Sequence, residues 1–464
     1  MTVADATPDY EVGTHDDRAF LGHPKGLGFL GFTEGCERFS YYSMQTLLVL
    51  YMVNYLLVPG RMEKVVGLQW LQAHVYGGIE GQPLASAIFG TYTALVYFTP
   101  IFGGILADTL LGRNRTLILG GVLMAIGHFL MAIESAFVFA LLALLLGVGA
   151  FKGNIASQVG ALYGPNDLRR AMAFQIFYIF INVSVIIAPL VSGTLGQKVG
   201  WHYGFGCAGV VMVLGLIIYL AGRRWLAPEE RSPKSDRQPR EKLSRNDWMC
   251  VVYLIILIPV LAVAMLTNQQ IFNAYLTWGD QRFDLTLLNN TSSWLITVDA
   301  AVSFTMLVAV AAFWKWWGTF RTEPDEISKM IIGSAFTIAG ALCLFMAAAT
   351  QPHGGKISLF WPMMFELMNS IGFAHILPVS LALFSKIAPR QINATVIGLY
   401  YLAFFMANAI VGWVGGLYSS LPTTTFWLIH AASAGVGLVA FAIFKIAVGS
   451  RMSAGPREQA AALS

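Results

Sequence analysis

Charged residues are scarce in this chain of 464 residues. Only 12% of the residues are Asp, Glu, Lys or Arg, whereas soluble proteins average about 25%. Apolar residues make up 56% of the sequence. The composition therefore excludes a soluble enzyme, a disordered scaffold and a nucleic-acid-binding protein.

Cysteine is also rare, and the four cysteines lie in apolar segments without the spacing of a metal site. We therefore expect no disulfide framework, no metal and no other cofactor, and we interpret the cysteines as packing residues. They are Cys36, Cys207, Cys250 and Cys343. The first 25 residues contain five acids and no apolar run, so we expect no cleavable signal peptide.

Apolar runs recur along the whole chain, and each is long enough to cross the roughly 30 Å of hydrocarbon in a bilayer. The short alternating segments that are typical of a porin are not seen, so the runs are predicted to be helices. The twelve predicted spans are 27–54, 84–107, 116–134, 136–162, 171–195, 204–225, 248–278, 291–314, 327–349, 357–385, 391–417 and 423–448.

One long polar stretch separates the first six spans from the last six. It has mixed charges and three prolines, which predicts a solvated linker that is too short for two additional spans. The predicted domains are an N-terminal six-helix bundle (1–225), a cytoplasmic linker (226–247) and a C-terminal six-helix bundle (248–464). This all-α plan resembles the major-facilitator transporters, which bind their substrate between the halves. A twelve-span intramembrane enzyme or receptor is the alternative.

The basic residues of the loops indicate the orientation of the chain. Loops on the side of the N-terminus, including the linker, carry 17 Lys and Arg residues, and the opposite loops carry five. Positive charge accumulates on the cytoplasmic side of membrane proteins. Both termini are therefore predicted to be cytoplasmic, in a multi-pass protein of the inner membrane.

Only six charged residues lie well inside the predicted spans. Each costs at least about 2.5–3.5 kcal/mol at the centre of a helix, so each is a candidate functional residue. They are Glu34, Glu37, Arg38, Lys152, Asp299 and Glu366.

Three of these charges lie together on the first span. Because residues three and four apart share a helix face, Glu34 is expected to pair with Arg38. Glu37 then needs another cation, and Lys152 is the other basic residue inside the spans. A carboxylate beside a cation loses that attraction when it is protonated, so the cluster is predicted to respond to protons. A purely structural ion-pair cluster is the alternative.

The first span also carries a motif that is similar to the signature ExxERFxYY of the proton-dependent oligopeptide transporters, a branch of the major facilitators. Other segments resemble that family's motifs FYxxINxG and FFKPN and the superfamily's loop motif GxLADxxxGRxR, although Gly153 replaces the proline of FFKPN. The matching segments are TEGCERFSYY (33–42), FYIFINVS (177–184), AFKGN (150–154) and GILADTLLGRNR (104–115). The C-terminal half matches more loosely.

The resemblance implies a proton-coupled symporter that imports di- and tripeptides by alternating access, with protons as the coupling ion. Its implied proton-coupling residues are Glu34, Glu37, Arg38 and Lys152, and its implied gating residues are Asp108, Arg113 and Arg115, which otherwise mark topology alone. Its implied substrate contacts in the first half of the chain are Arg38, Tyr41, Tyr97, Lys152 and Asn182. For Tyr97, aromatic packing is an equally good interpretation. We expect a monomer whose partners are small peptides, protons and the bilayer, with no nucleic acid.

The C-terminal half departs from the family pattern. Asn268 stands where the family usually has an acid, and Tyr400 stands where a tryptophan is typical. Phe373 occupies the position of the glutamate that is normally assigned to the amino group of the peptide. We include all three residues among the candidate substrate contacts.

Two acids of this half are also candidate substrate contacts. Asp299 stands where the family often has asparagine, and Glu366 lies seven residues before Phe373, on the same helix face. Either Glu366 or Asp299 captures the ammonium group at a new place, or the amino-group site is lost and the substrate is nitrate, a carboxylate or a modified peptide. Buried acids without a cation are costly, which favours capture of an ammonium group. A helix contact without a ligand role is the alternative for Asp299. His375 lies on the opposite face of the helix from Glu366, which predicts a structural histidine.

Overall fold

The computed structural model describes residues 17–164, 167–228, 243–350 and 355–453. Twelve long helices form in these ranges, one for each predicted span. We number them α1 (Lys25–Tyr51), α2 (Gly81–Phe98, continued by Pro100–Leu106), α3 (Arg113–Leu130), α4 (Phe137–Ala161), α5 (Arg169–Ala188), α6 (Trp201–Gly222), α7 (Arg245–Ala264), α8 (Trp294–Trp317), α9 (Glu326–Thr350), α10 (Phe360–Ile387), α11 (Asn393–Gly416) and α12 (Thr423–Ser453). The prediction of an all-α chain with one long helix for each span is confirmed.

Ten of the twelve helices are long and apolar enough to cross a bilayer by length and composition alone. The other two are α1 and α3. Helix α1 carries a stripe of charged and hydroxyl side chains, and α3 begins with Arg113 and Arg115, which lower its hydropathy. The two helices that deviate from a pure membrane composition thus carry charges that the sequence marks as candidates for function.

Several helices continue as π-helical or 3₁₀ turns, and α7 is also followed by two short α-helical segments. Pro259 lies inside α7, and the chain beyond α7 breaks near Asn273 before it continues. The extensions are Met52–Leu56 after α1, Ala107–Leu111 after α2, Pro189–Gly193 and Leu195–Val199 after α5, and Leu266–Gln269, Gln270–Phe272 and Ala274–Arg282 after α7. A short helix, Leu68–His74, precedes α2.

The chain divides into two compact units. The first unit contains residues 1–47, 64–66 and 99–233, and the second contains 48–63, 67–98 and 234–464. The first segment of α2 (Gly81–Phe98) and the end of α1 therefore belong to the second unit, where α2 packs on α11. Most of the predicted linker, and the acids Asp5, Asp9, Glu11 and Asp16, lie outside the described residues.

Close backbone contacts hold the helices of the first unit together. A Cβ atom added to Gly103 would lie 2.0 Å from the carbonyl oxygen of Gly149 on α4. One added to Gly120 on α3 would lie 2.7 Å from the carbonyl oxygen of Gly147. Small residues of this kind allow membrane helices to approach one another closely. The second segment of α2 and α3 are thereby fixed against α4, which carries Lys152.

The second unit has a large apolar core formed by α7, α10, α11 and α12. Leu257, Phe384, Ala407 and Phe441 are completely buried in it. Tyr400 belongs to the same core and is 1% exposed. This packing fixes α10, the helix that carries both Glu366 and Phe373.

Candidate functional site

The charged cluster of the first unit is centred on Arg38. Its Nε atom lies 2.6 Å from Oε1 of Glu34 and 3.2 Å from Oε2 of Glu37. The two carboxylates are 1% and 0% exposed, and the arginine is 12% exposed. The predicted pairing of Glu34 with Arg38 is present, and Arg38 also reaches Glu37. A single guanidinium thus serves two buried acids.

Helix α4 brings Lys152 to this cluster. The ammonium group interacts electrostatically with Glu37 and Glu34, and it repels Arg38. The cluster therefore holds two acids and two bases, and its formal charge is zero when all four are ionised. Protonation of one carboxyl group leaves an excess of one positive charge, which attracts an anionic group.

Six residues after Lys152, α4 also carries an uncharged polar side chain that bonds to two other helices. The Nε2 atom of Gln158 on α4 donates hydrogen bonds to Oδ1 of Asn114 and to the hydroxyl of Tyr219, both at 2.9 Å. Because these amide and hydroxyl groups carry no charge, the scarcity of charge inside the spans did not mark them as candidates. Their bonds tie α3, α4 and α6 together.

The remaining candidate contacts of the first unit lie in local environments of their own. Tyr41 is 5% exposed, and its ring packs edge-on against Tyr42 at 5.2 Å between centroids. The amide of Asn182 donates a hydrogen bond to the carbonyl of Tyr178, one turn earlier on α5, at 2.8 Å.

Two aromatic candidates lie in the second unit. The ring of Tyr97 stacks on Phe404 with 4.9 Å between centroids. The hydroxyl of Tyr400 lies 3.1 Å from Oγ of Ser380 and donates to the carbonyl oxygen of Leu377 at 3.2 Å. These two contacts hold the hydroxyl of Tyr400 against α10.

Two of the departures from the family pattern line the same small cavity. Its walls include Asn268 and Phe373, together with Asn369 and Leu377, and it has room for about one water molecule. The spacing of Asn369 and Phe373 on α10 places both on one helix face. Because Tyr400 binds the carbonyl group of Leu377, it supports one wall of this cavity.

The two unusual acids are adjacent to one another. The carboxyl groups of Asp299 on α8 and Glu366 on α10 interact directly, and the hydroxyl of Tyr275 lies beside Glu366. Glu366 is 0% exposed. The two acids are separated by 67 positions, so their contact could not be predicted from local sequence patterns.

The three predicted gating residues lie at the exposed surface. Asp108 is in the π-helical turn after α2, and Arg113 and Arg115 are in the first turn of α3. Asp108 forms no ion pair with another residue in the described part of the chain.

A polar network joins helix ends in the second unit, on the side opposite the N-terminus. Asp280 accepts hydrogen bonds from Nδ2 of Asn54 at 2.9 Å and from Oγ of Ser292 at 2.7 Å. Nearby, Oγ of Ser86 on α2 donates to Oδ1 of Asn273 at 2.9 Å. The amide of Gln82 donates to the carbonyl oxygen of Gly415 on α11 at 3.0 Å. The ends of α1 and α2 are thereby tied to the ends of α7 and α11.

The twelve long helices, with buried charges inside several of them, are those of a multi-pass membrane protein. The family model described as Major Facilitator Superfamily matches residues 43–411 of this chain. The uncharacterized transporter YclF of Bacillus subtilis is 30% identical to it, over 93% of this chain and 96% of that protein. The peptide transporter YePEPT of Yersinia enterocolitica is 28% identical, over 87% of this chain and 90% of that protein.

Solved structures show the same relationship. The crystal structure of peptide transporter POT in complex with sulfate superimposes with a TM-score of 0.80 and 26% identity, covering 96% of this chain and 99% of that one. A POT family transporter in complex with 5-aminolevulinic acid has a TM-score of 0.76 and 23% identity. The chain belongs to the major facilitator superfamily and, within it, to the POT family of proton-dependent oligopeptide transporters.

Proposed function

We propose that this protein is a proton-coupled symporter that imports di- and tripeptides across the cytoplasmic membrane by alternating access. The observation that carries the proposal is the buried cluster of Glu34, Glu37, Arg38 and Lys152, in a chain whose family transports peptides. Both termini face the cytoplasm, and the transporter works as a monomer.

Coupling to protons follows from the charge balance of the cluster. When Glu37 or Glu34 takes up a proton, Arg38 and Lys152 lose the electrostatic attraction of that carboxylate. The freed cations then bind the terminal carboxylate of the peptide, because charge-assisted hydrogen bonds are strong in a site shielded from water. Tyr41 and Asn182 of the first unit contact the bound peptide, and Tyr97 packs against a side chain of the peptide.

The opposite end of the peptide carries an ammonium group. We assign its capture to Asp299 and Glu366, because these acids lie within the spans of the second unit and interact with no Lys or Arg among the described residues. Asn268 and Phe373 shape the neighbouring cavity, and Tyr400 holds its wall in place.

The network at the ends of α1, α2, α7 and α11 acts as the outer gate. Its hydrogen bonds must break before a peptide can enter from that side. Asp108, Arg113 and Arg115 act at the cytoplasmic face, where their exposed charges exchange partners as the helices move.

Uptake into proteoliposomes tests the proposal. An inward proton gradient is expected to accumulate a labelled dipeptide, and unlabelled di- and tripeptides should compete, whereas nitrate and simple carboxylates should not. Glu37→Gln is expected to abolish gradient-driven accumulation while counterflow exchange continues, because the residue then cannot change its charge.

The matched control is Glu323→Gln, which changes an exposed acid paired with Lys329 and should leave accumulation intact. Concentrative uptake that persists in Glu37→Gln would exclude this residue from proton coupling. Competition by nitrate or carboxylates but not by peptides would replace the peptide proposal with an anion transporter.

A further inference from the structure

Two short polar rows face each other between α8 and α10. On α8, Asp299 is followed one turn later by Ser303, and on α10, Glu366 is followed one turn later by Ser370. The hydroxyl oxygens of the two serines lie 2.9 Å apart, and the two acids are adjacent. Residues four apart share a helix face. An acid thus meets an acid and a serine meets a serine across the same helix contact.

The acid pair contains buried oxygen atoms that form no well-aligned hydrogen bond. Within the described part of the chain, these are both carboxylate oxygens of Glu366 and Oδ1 of Asp299. The hydroxyl of Tyr275 lies beside Glu366 and can donate one hydrogen bond to the pair. Buried polar groups are rarely left unsatisfied, and a proton between the two carboxyl groups satisfies a further oxygen atom.

Along α8 and α10, the next basic side chains after the two acids are far from the pair. On α8 the nearest Lys or Arg after Asp299 is Lys315, 16 positions on, which is about 24 Å along a helix. On α10 the corresponding residue is Lys386, 20 positions after Glu366, or about 30 Å. Arg282, seven positions after Tyr275, donates instead to the carbonyl oxygen of Gly355 at 3.2 Å.

The other titratable groups of this region are a tyrosine and two histidines. From the chain that continues α7, Tyr275 contributes its hydroxyl. From α12, the ring of His430 packs on Trp427 at 5.1 Å, and its Nδ1 bonds to the carbonyl of Phe426 at 2.9 Å. On α10 itself, His375 accepts a hydrogen bond from the indole nitrogen of Trp314 at 3.0 Å. Among the described residues, the groups that interact electrostatically with the two acids include no base.

Two carboxylates that share a buried site cannot both remain ionised. We propose that Asp299 and Glu366 bind one shared proton at neutral pH, which makes the second unit a proton-binding site separate from the Glu34–Glu37 cluster. The proton forms the missing hydrogen bond between the two carboxyl groups and holds α8 against α10. The site does not depend on the identity of the substrate.

The shared proton also sets the charge that a ligand meets. With one proton, the pair carries a single negative charge, which matches a single ammonium group. This consequence rests on the peptide proposal, whereas the proton itself does not.

Infrared spectroscopy of the substrate-free protein in lipid tests the proposal directly. A protonated carboxylic acid has a C=O stretching band that is separate from the carboxylate bands and that shifts in D₂O. At neutral pH, where free Asp and Glu side chains are ionised, the wild type is expected to show this band. The double variant Asp299→Asn, Glu366→Gln should lose the component that the pair contributes.

The matched control is Glu34→Gln, Glu37→Gln, which removes two buried acids from the other unit and should keep that component. The single variant Glu366→Gln, which places an amide donor beside Asp299, provides a milder substitution if the double variant fails to fold, and it too should lose the band. A protonated-acid spectrum identical in the wild type and in the folded variants of the pair would overturn the proposal.

Discussion

Gly90 on α2 offers the sharpest test of how the outer gate is built. A Cβ atom at this position would lie 2.3 Å from the Cα atom and 2.6 Å from the nitrogen of Gly412 on α11, and 2.8 Å from the carbonyl oxygen of Asn408. All three atoms belong to the backbone and cannot rotate away. We therefore expect Gly90→Ala to force α2 and α11 apart.

The size of the effect follows from these distances. Carbon atoms in contact are about 3.5–4.0 Å apart, so the helices must separate by more than about 1 Å. Overpacking of this kind typically costs about 1–3 kcal/mol. Since about 1.4 kcal/mol corresponds to a factor of ten, the closed arrangement should become about 5–150 times less favourable relative to an open one.

The matched control is Gly104→Ala, later on the same stretch of chain, because an added Cβ atom at Gly104 meets nothing within 4 Å. Both substitutions gain the same helix propensity, of up to about 1 kcal/mol. The difference between the two variants therefore isolates the steric contact with α11.

A buried cysteine reports on the separation of the helices. Ser86 is one turn from Gly90 and is 0% exposed. A Ser86→Cys reporter, in a background without the four native cysteines, is expected to react slowly with a maleimide in detergent. Gly90→Ala should increase the labelling rate and lower the melting temperature, and Gly104→Ala should do neither. Equal labelling in the two glycine variants would refute the close packing of α2 on α11.

Three further predictions concern single side chains. Asp325→Ala removes a carboxylate that accepts the backbone N–H of Ser328 at 2.7 Å in the first turn of α9, and loss of such a cap costs about 1 kcal/mol, measured as a lower melting temperature. Burial acts to raise the pKa of Asp325, but the hydrogen bonds from Ser328 and Lys445 lower it overall. The contribution of Asp325 to stability is therefore complete above the ordinary Asp pKa of about 3.9 and is lost as the pH falls through the lowered pKa. The melting temperatures of the wild type and Asp325→Ala should accordingly converge in acid. Tyr400→Phe deletes the hydroxyl bond to Leu377 and should cost about 0.5–1.5 kcal/mol of stability, with a small change in KM; a large rise in KM without destabilisation would instead indicate direct contact with the substrate.

The number and positions of the membrane helices were predictable, because each helix depends on a local run of apolar residues. Each span needs about 20 apolar residues, and that requirement located all twelve helices. Helix phase also predicted that His375 faces away from Glu366, and its bonds to Trp314 and to the carbonyl of Ile371 confirm a structural histidine.

Contacts between distant helices were not predictable in the same way. Asp299 and Glu366 were two separate candidates in the sequence, because nothing local specifies the register of α8 against α10. The break near Asn273 was missed for a related reason: its amide and that of Gln270 lie close to where a Cβ atom of Gly415 would be, and this packing is a tertiary effect. The roles of the site residues remain predictions to be tested.

The two units differ in the charges that they bury, and this difference predicts which peptides are transported. The first unit holds buried acids beside Arg38 and Lys152, whereas in the described part of the second unit the buried Glu366 and the half-buried Asp299 interact with no Lys or Arg. A zwitterionic peptide matches both. Since a hydrogen bond to a charged group contributes about 1.5–3 kcal/mol, blocking either terminus should raise KM by about 10- to 150-fold.

Competition with blocked peptides separates the two ends. An N-acetylated dipeptide lacks the ammonium group, and a C-amidated dipeptide lacks the carboxylate. In Glu366→Gln, the penalty for N-acetylation should largely disappear, while the penalty for C-amidation should persist, because Arg38 and Lys152 are unchanged. If Glu366→Gln leaves the N-acetylation penalty at its wild-type size, the ammonium group binds elsewhere and the acid pair serves the proton alone.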